Sequence, residues 1–327
     1  MRRSGVRSVL SEGEGKGLGA FVRRGVFLLS VLFLVATPAQ GVEFTSVTHL
    51  FDIEHDFSQP SDVAVAPDGS IYVVDGVNYA IKVFDSKGTF QFSFGSHGSG
   101  PGQFNYPLGM DIDAAGRLYV ADSGNSRIQI FLPDGSFLNE IPIAVSNGKK
   151  CDPTDVAVDS AGSKAFVVDN ENHCILTYDL KTLLPVKVVG KAGIERMEFR
   201  YPFLISKYND KYLYVVDVIN TRVQELTDTG KFVRFIGDWG VEKGQFFRPK
   251  GVAVDPSGLV YVSDSYMGVV QVFEEGVFHS VIGDTVRGTV YRYTTPVGLF
   301  VDKNNRLYVV EMFAERVSVF QINRDAD

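Results

Sequence analysis

Apolar residues along this chain fall in short runs, many of them alternating with polar residues at a period of two, and most runs end at a glycine, aspartate or proline. The first clear set is residues 63–66, 71–74, 81–84 and Phe90–Phe94. Pro67-Asp68-Gly69 separates the first pair and Ser86-Lys87-Gly88 the second. Runs this short, rich in Val, Ile, Phe and Tyr, predict β-strands and not the wider stripe of a helix. Glycine supplies the positive φ that tight reversals need. The same turns return as Ala115-Gly116, Asp134-Gly135, Ala161-Gly162, Thr229-Gly230, Ser257-Gly258 and Glu275-Gly276. Each set therefore predicts a four-stranded antiparallel meander.

The set repeats. Pro60, Pro107, Pro153, Pro202, Pro249 and Pro296 open successive copies at intervals of 46 to 49 residues. A four-stranded meander cannot bury both of its faces alone. Radial stacking covers the faces and leaves only short edges. The expected fold is all-β, a six-bladed β-propeller over residues 43–327; a linear β-solenoid usually has a shorter period and no internal hairpins. The sixth copy stops after residues 316–320 and lacks a fourth strand. Val47-Thr48-His49-Leu50-Phe51-Asp52-Ile53 reads like the fourth strand Lys231-Phe232-Val233-Arg234-Phe235-Ile236. It is expected to complete the last blade and close its open edge.

The wording of the copies carries a resemblance. Pro107-Leu108-Gly109-Met110-Asp111-Ile112-Asp113, Gly116-Arg117-Leu118-Tyr119-Val120-Ala121-Asp122 and Asn125-Ser126-Arg127-Ile128-Gln129-Ile130-Phe131, with Gly102-Gln103-Phe104 ahead of them, resemble the NHL repeat. The likeness runs from about Pro60 to Phe320. It implies the propeller fold and, as in many such propellers, action through an interaction surface. Six-bladed relatives also include peptidyl-hydroxyglycine lyases, streptogramin lyases and gluconolactonase-like hydrolases, so a metal-assisted lyase or lactonase is the alternative expectation.

Residues 1–39 stand outside the repeat. Arg23-Arg24 precede an apolar run over residues 25–36, followed by Thr37-Pro38-Ala39, the order of a cleaved secretory signal peptide. The run is shorter than the ~20 residues a spanning helix needs. A secreted or periplasmic protein is expected; retention of the segment would instead anchor it to a membrane. The long polar stretch before the run points to a start nearer Val22. The whole chain carries 32 basic and 39 acidic residues, net −7. Without residues 1–39 the balance is 26 against 37, or −11. Nucleic acid is a poor partner for such a charge. A monomer without a cofactor, contacting a protein, peptide or glycan, is expected.

Candidate chemistry is sparse. Asp75, Asp122, Asp169, Asp217, Asp264 and Glu311 close the second strands of all six copies. An acid in every blade is expected to hold turn backbone, with Arg127, Arg222 and Arg316 as structural partners. His49, His55, His97, His173 and His279 all map to outer strands or loops, which leaves no zinc triad on the inner strands. Asp62 and Asp155 stand where other copies have Gly109, Gly251 and Gly298. They are candidate ligands for a hard cation, although two carboxylates fall short of a calcium shell and are expected to be solvated. Cys151 and Cys174 belong to one copy and one face, which suggests a disulfide in an exported protein. Tyr106, Arg200, Tyr201, Arg248, Tyr266 and Tyr293 lie in the entry loops or the loops joining second to third strands. Aromatic residues and arginine are enriched in binding hot spots, so these six are the candidate ligand-binding residues.

Overall fold

The computed structural model describes residues 43–144, 149–285 and 287–323. Within them the chain folds as an all-β, six-bladed propeller. Blades 1 to 4 are four-stranded antiparallel sheets spanning residues 60–94, 107–142, 153–189 and 202–236. Blade 5 spans residues 249–284. Blade 6 is built from Pro296–Val301, Arg306–Glu311 and Arg316–Ile322, completed by the N-terminal strand Phe44–Ile53. The expected closure is present: Val47 pairs with Ile322 and Ile53 with Val317, antiparallel.

The N-terminal strand does more than fill blade 6. Its first residues pair in parallel with the outer strand of blade 5, Phe44 opposite Val281 and Ser46 opposite Gly283. One strand thus staples the outer edges of two blades, joining them into a single nine-stranded sheet. Phe44 lies where a side chain on Gly283 would stand.

Six hydrophobic clusters form the core, one at each blade–blade interface. The second strand of each blade contributes one large aromatic to the interface ahead: Tyr72, Tyr119, Phe166, Tyr214, Tyr261 and Tyr308, all buried. Tyr119, Tyr261 and Tyr308 keep their hydroxyls within 3.2, 3.0 and 3.3 Å of Asp113, Asp255 and Asp302, so the phenol is buried with a partner as burial requires. Phe104, Phe199 and Phe246 of the long entry loops are fully buried. Each forms a parallel bridge that folds the loop back on itself, to His97, Ala192 and Trp239 respectively.

Candidate interaction face and central channel

The acids closing the second strands build the loop face. Each accepts a backbone N–H from the entry loop of its own blade: Asp75 from Ser58 at 2.7 Å, Asp122 from Asn105 at 2.7 Å, Asp169 from Asp152 at 3.1 Å, Asp217 from Arg200 at 2.7 Å, Asp264 from Phe247 at 2.6 Å and Glu311 from Thr294 at 2.6 Å. The carboxylates reach further than the adjoining turn, binding a loop 17 residues earlier. Arg127, Arg222 and Arg316 pair with them at 2.8, 2.9 and 2.8 Å. Blade 1 has Ala80 in the arginine position, and Lys82 supplies the cation instead, 2.8 Å from Asp75. Blade 5 has Val269 in the arginine position, and Asp264 takes four backbone N–H groups, from Phe247, Arg248, Tyr266 and Met267.

On this scaffold the predicted rim residues separate. Tyr106, Tyr201 and Tyr266 are exposed, and Arg200 and Arg248 are exposed beside them. Tyr201 meets His173 edge-on at 4.7 Å, and Tyr266 lies against Phe247 at 4.1 Å. Tyr293 is different. It is buried in the cluster between blades 5 and 6, with its ring edge-on to Phe320 at 5.9 Å, and belongs to the core.

The loop face also carries apolar residues beside Tyr266 that were not singled out in the sequence. Two positions beyond the closing acid stand Ile219 in blade 4, Tyr266 in blade 5, Phe313 in blade 6 and Val77 in blade 1, all exposed. Blades 2 and 3 have Gly124 and Glu171 there. Trp239, in the loop between blades 4 and 5, is 71 % exposed. One exposed apolar residue thus stands at the same place in each of four consecutive blades, an arc of separate positions along the rim. Among the described residues, no large hydrophobic is exposed in the turns joining first to second strands at the opposite face.

Asp62 and Asp155 are not solvated. Both are buried in the channel wall, and each links neighbouring blades: Asp62 accepts from Met110 N–H of blade 2 at 2.9 Å, and Asp155 from Ile205 N–H of blade 4 at 2.8 Å. Their other oxygens fill the space that side chains on Gly298 and Gly109 would need. Glycine stands in those copies because the neighbour's carboxylate occupies the room. Asp111, missed by sequence reasoning, does the same between blades 2 and 3, accepting from Val158 N–H at 2.8 Å. Inner strands are sheet edges, and their inward N–H groups need acceptors.

The three acids line a cavity of about 460 Å³ that extends to the turns at Pro67, Ala114, Ser160 and Asn304. Burial pushes Asp62 up to about 7 and Asp111 up to about 6. Asp155 is raised well above the usual carboxylate range by burial and by the nearby Asp62 charge. Among the described residues, no group of three or more His, Cys, Asp or Glu is arranged to hold a metal ion. Cys151 and Cys174 are both buried thiols in this structure, and burial, with Asp169 and Cys151 nearby, pushes Cys174 up to about 12.

A radial ring of six four-stranded blades defines the class, and the family comparisons agree with it. A family model described as a 6-bladed β-propeller matches residues 54–155, and an NHL repeat model matches residues 246–273. The chain is an NHL repeat-containing propeller. It is 38% identical over 81 residues to human NHL repeat-containing protein 3, covering 24% of this chain and 23% of that protein. It is 30% identical over 129 residues to the protein brain tumor of Drosophila melanogaster, covering 39% of this chain and 12% of that one. The matches thus span less than a quarter of either relative's length. A streptogramin B lyase structure superposes with a TM-score of 0.61 at 12% identity, over 84% of this chain and 97% of that one. At that identity the likeness is one of fold.

Proposed function

We propose that this chain is an exported interaction propeller that presents its loop face to a protein, peptide or glycan. The observation that carries the reading is the apolar arc of Ile219, Tyr266, Phe313 and Val77, flanked by exposed Tyr201, Arg200 and Arg248. An exposed apolar residue at the same place in four consecutive blades offers a partner repeated apolar contacts along one rim, and Tyr and Arg are favoured hot-spot residues. NHL propellers commonly serve as protein-interaction scaffolds, which supports the same reading. The test is capture of partners from the exported fraction by the full chain, followed by affinity measurement with the double variant Tyr201→Ala and Arg248→Ala. A hot-spot loss of about 2 kcal/mol or more is expected, with an unchanged unfolding midpoint. Capture at wild-type affinity by the folded double variant refutes the assignment.

Export rests on the signal-like segment, which lies outside the described residues, so membrane anchoring and cleavage are decided by the mature N-terminus. The exported protein is expected to yield Cys151 joined to Cys174 on non-reducing peptide mapping; two alkylated thiols refute the bridge. A second reading, lyase or lactonase chemistry, draws on the three buried carboxyls with raised pKa in the channel cavity, since perturbed acids in a cleft mark candidate active sites. It predicts stoichiometric divalent metal in the purified protein and turnover lost on chelation. The interaction reading is preferred because all three acids already accept inter-blade N–H groups.

A further inference from the structure

Lys250 stands at the second position of the inner strand of blade 5, where the channel wall meets the loop face. The equivalent residues in other blades are Ser61, Leu108, Thr154, Phe203 and Val297. The hydroxyls among them are engaged: Ser61 donates to Leu108 O at 2.5 Å and Thr154 to Phe203 O at 2.7 Å. The Lys250 ammonium lies over the Phe203 ring, 4.2 Å from its centroid. Among the described residues, no hydrogen bond or ion pair reaches it. Burial and the neighbouring Arg248 charge both push its pKa down, the direction expected of a cation that has lost water without gaining an anion. Lys250 is only half-buried, so an anion arriving at the loop face can still reach the ammonium and would add the charge partner that the Phe203 ring does not supply.

Two further cations stand on the same part of the face. Arg248 and Arg200 are exposed, and neither guanidinium is in an ion pair among the described residues. The exposed apolar residues of the loop face stand in the blades on both sides of it, Ile219 in blade 4 and Phe313 and Val77 in blades 6 and 1, with Tyr266 in its own blade. We propose that the channel mouth at Lys250 takes the carboxylate of an internal Asp or Glu in an extended peptide segment, whose flanking apolar residues lie along that arc. This rests on the reading of the loop face as an interaction surface and adds the chemistry of the partner. An internal side chain fits because the arc continues in both directions and a chain terminus would leave half of it bare. Peptide is favoured over nucleic acid because three cations on a chain of net charge −7 make no phosphate-tracking stripe.

The test uses the full chain and an array of short synthetic peptides, each with a central Glu flanked by aromatic and aliphatic residues. Matched arrays carry Gln in place of Glu, or Gln with a free carboxylate only at the C-terminus. Fluorescence polarisation is expected to show the Glu peptides binding wild type at least about tenfold tighter than the Gln peptides, a difference of ~1.4 kcal/mol. In Lys250→Met, which keeps an aliphatic stem over Phe203, that ratio is expected to fall to about one while weak binding of both arrays persists. Equal binding of Glu and Gln peptides by wild type overturns the proposal without needing any variant. Preference for the C-terminal carboxylate, survival of the ratio in Lys250→Met, or tighter binding of single-stranded RNA than of any peptide also overturns it. Tyr266→Ala separates the two levels: if it weakens both arrays while their ratio in wild type is one, the interaction face stands and the acid preference falls. Peptide binding indifferent to Tyr266→Ala and Tyr201→Ala removes the interaction face as well.

Discussion

The channel acids do the same work from two different positions of the repeat. Asp62, Asp111 and Asp155 bond N–H groups of blades 2, 3 and 4, and burial makes each hold its proton more tightly than in the unfolded chain. A carboxyl whose pKa is raised on folding contributes stability that is fully present below its unfolded value, near 3.8, and lost as pH rises through the folded value, about 7 for Asp62. These groups therefore make the fold less stable as pH rises across that window. Asp62→Asn removes the titration and retains an oxygen for Met110 N–H, so thermal midpoints measured across the window should fall less steeply in the variant than in wild type. A variant slope equal to wild type would assign the pH dependence elsewhere. The sequence showed Asp62 and Asp155 as anomalies among glycines, but not that the glycines are small to admit them. That relation joins residues of different blades, and no spacing within one repeat reports it.

At the scale of elements, the repeat made every blade legible, down to the fourth strand borrowed from the N-terminus. The parallel pairing of Phe44–Ser46 with blade 5 was not legible, because it depends on how far the outer strands of adjacent blades splay. Lys82 replacing the missing arginine of blade 1 was hidden for a similar reason: it reaches Asp75 from two residues along the same strand. The two halves of the N-terminal strand are separable. Gly283→Val would collide with Phe44 and with the Thr289 carbonyl and should loosen the staple to blade 5 together with the short pairing to Thr289–Val290, at a cost of about 1–3 kcal/mol in urea denaturation, with the protein still monodisperse. Deleting residues 43–53 exposes the third strand of blade 6 as an open edge, and self-association is expected by light scattering, since unpaired edges recruit other strands. A monodisperse deletion variant of wild-type stability would remove the N-terminal strand from the account of ring closure.

For the whole molecule, the question is whether six interfaces act as a closed ring or as an array with two ends. In a linear array stability is a sum of unit and nearest-neighbour terms, and its ends fray. Here the interface between blades 6 and 1 has a cluster like the others, with Tyr308, Val310, Val317 and Val319 against Phe57, Val63, Ile71 and Val73. Tyr308 in this closing interface and Tyr119 in the interface between blades 2 and 3 are equivalent residues, each buried and each within reach of an aspartate. Truncating a large buried aromatic costs about 3–5 kcal/mol. In a ring, Tyr308→Ala and Tyr119→Ala should lose similar stability, each in one cooperative transition monitored by both circular dichroism and the fluorescence of Trp239, the single tryptophan. In an open array, Tyr308→Ala would cost far less and would leave blades 2 to 5 folded through a second transition. A biphasic Tyr308→Ala curve beside a single-phase Tyr119→Ala curve would therefore show that the contact between blades 6 and 1 does not hold the ring.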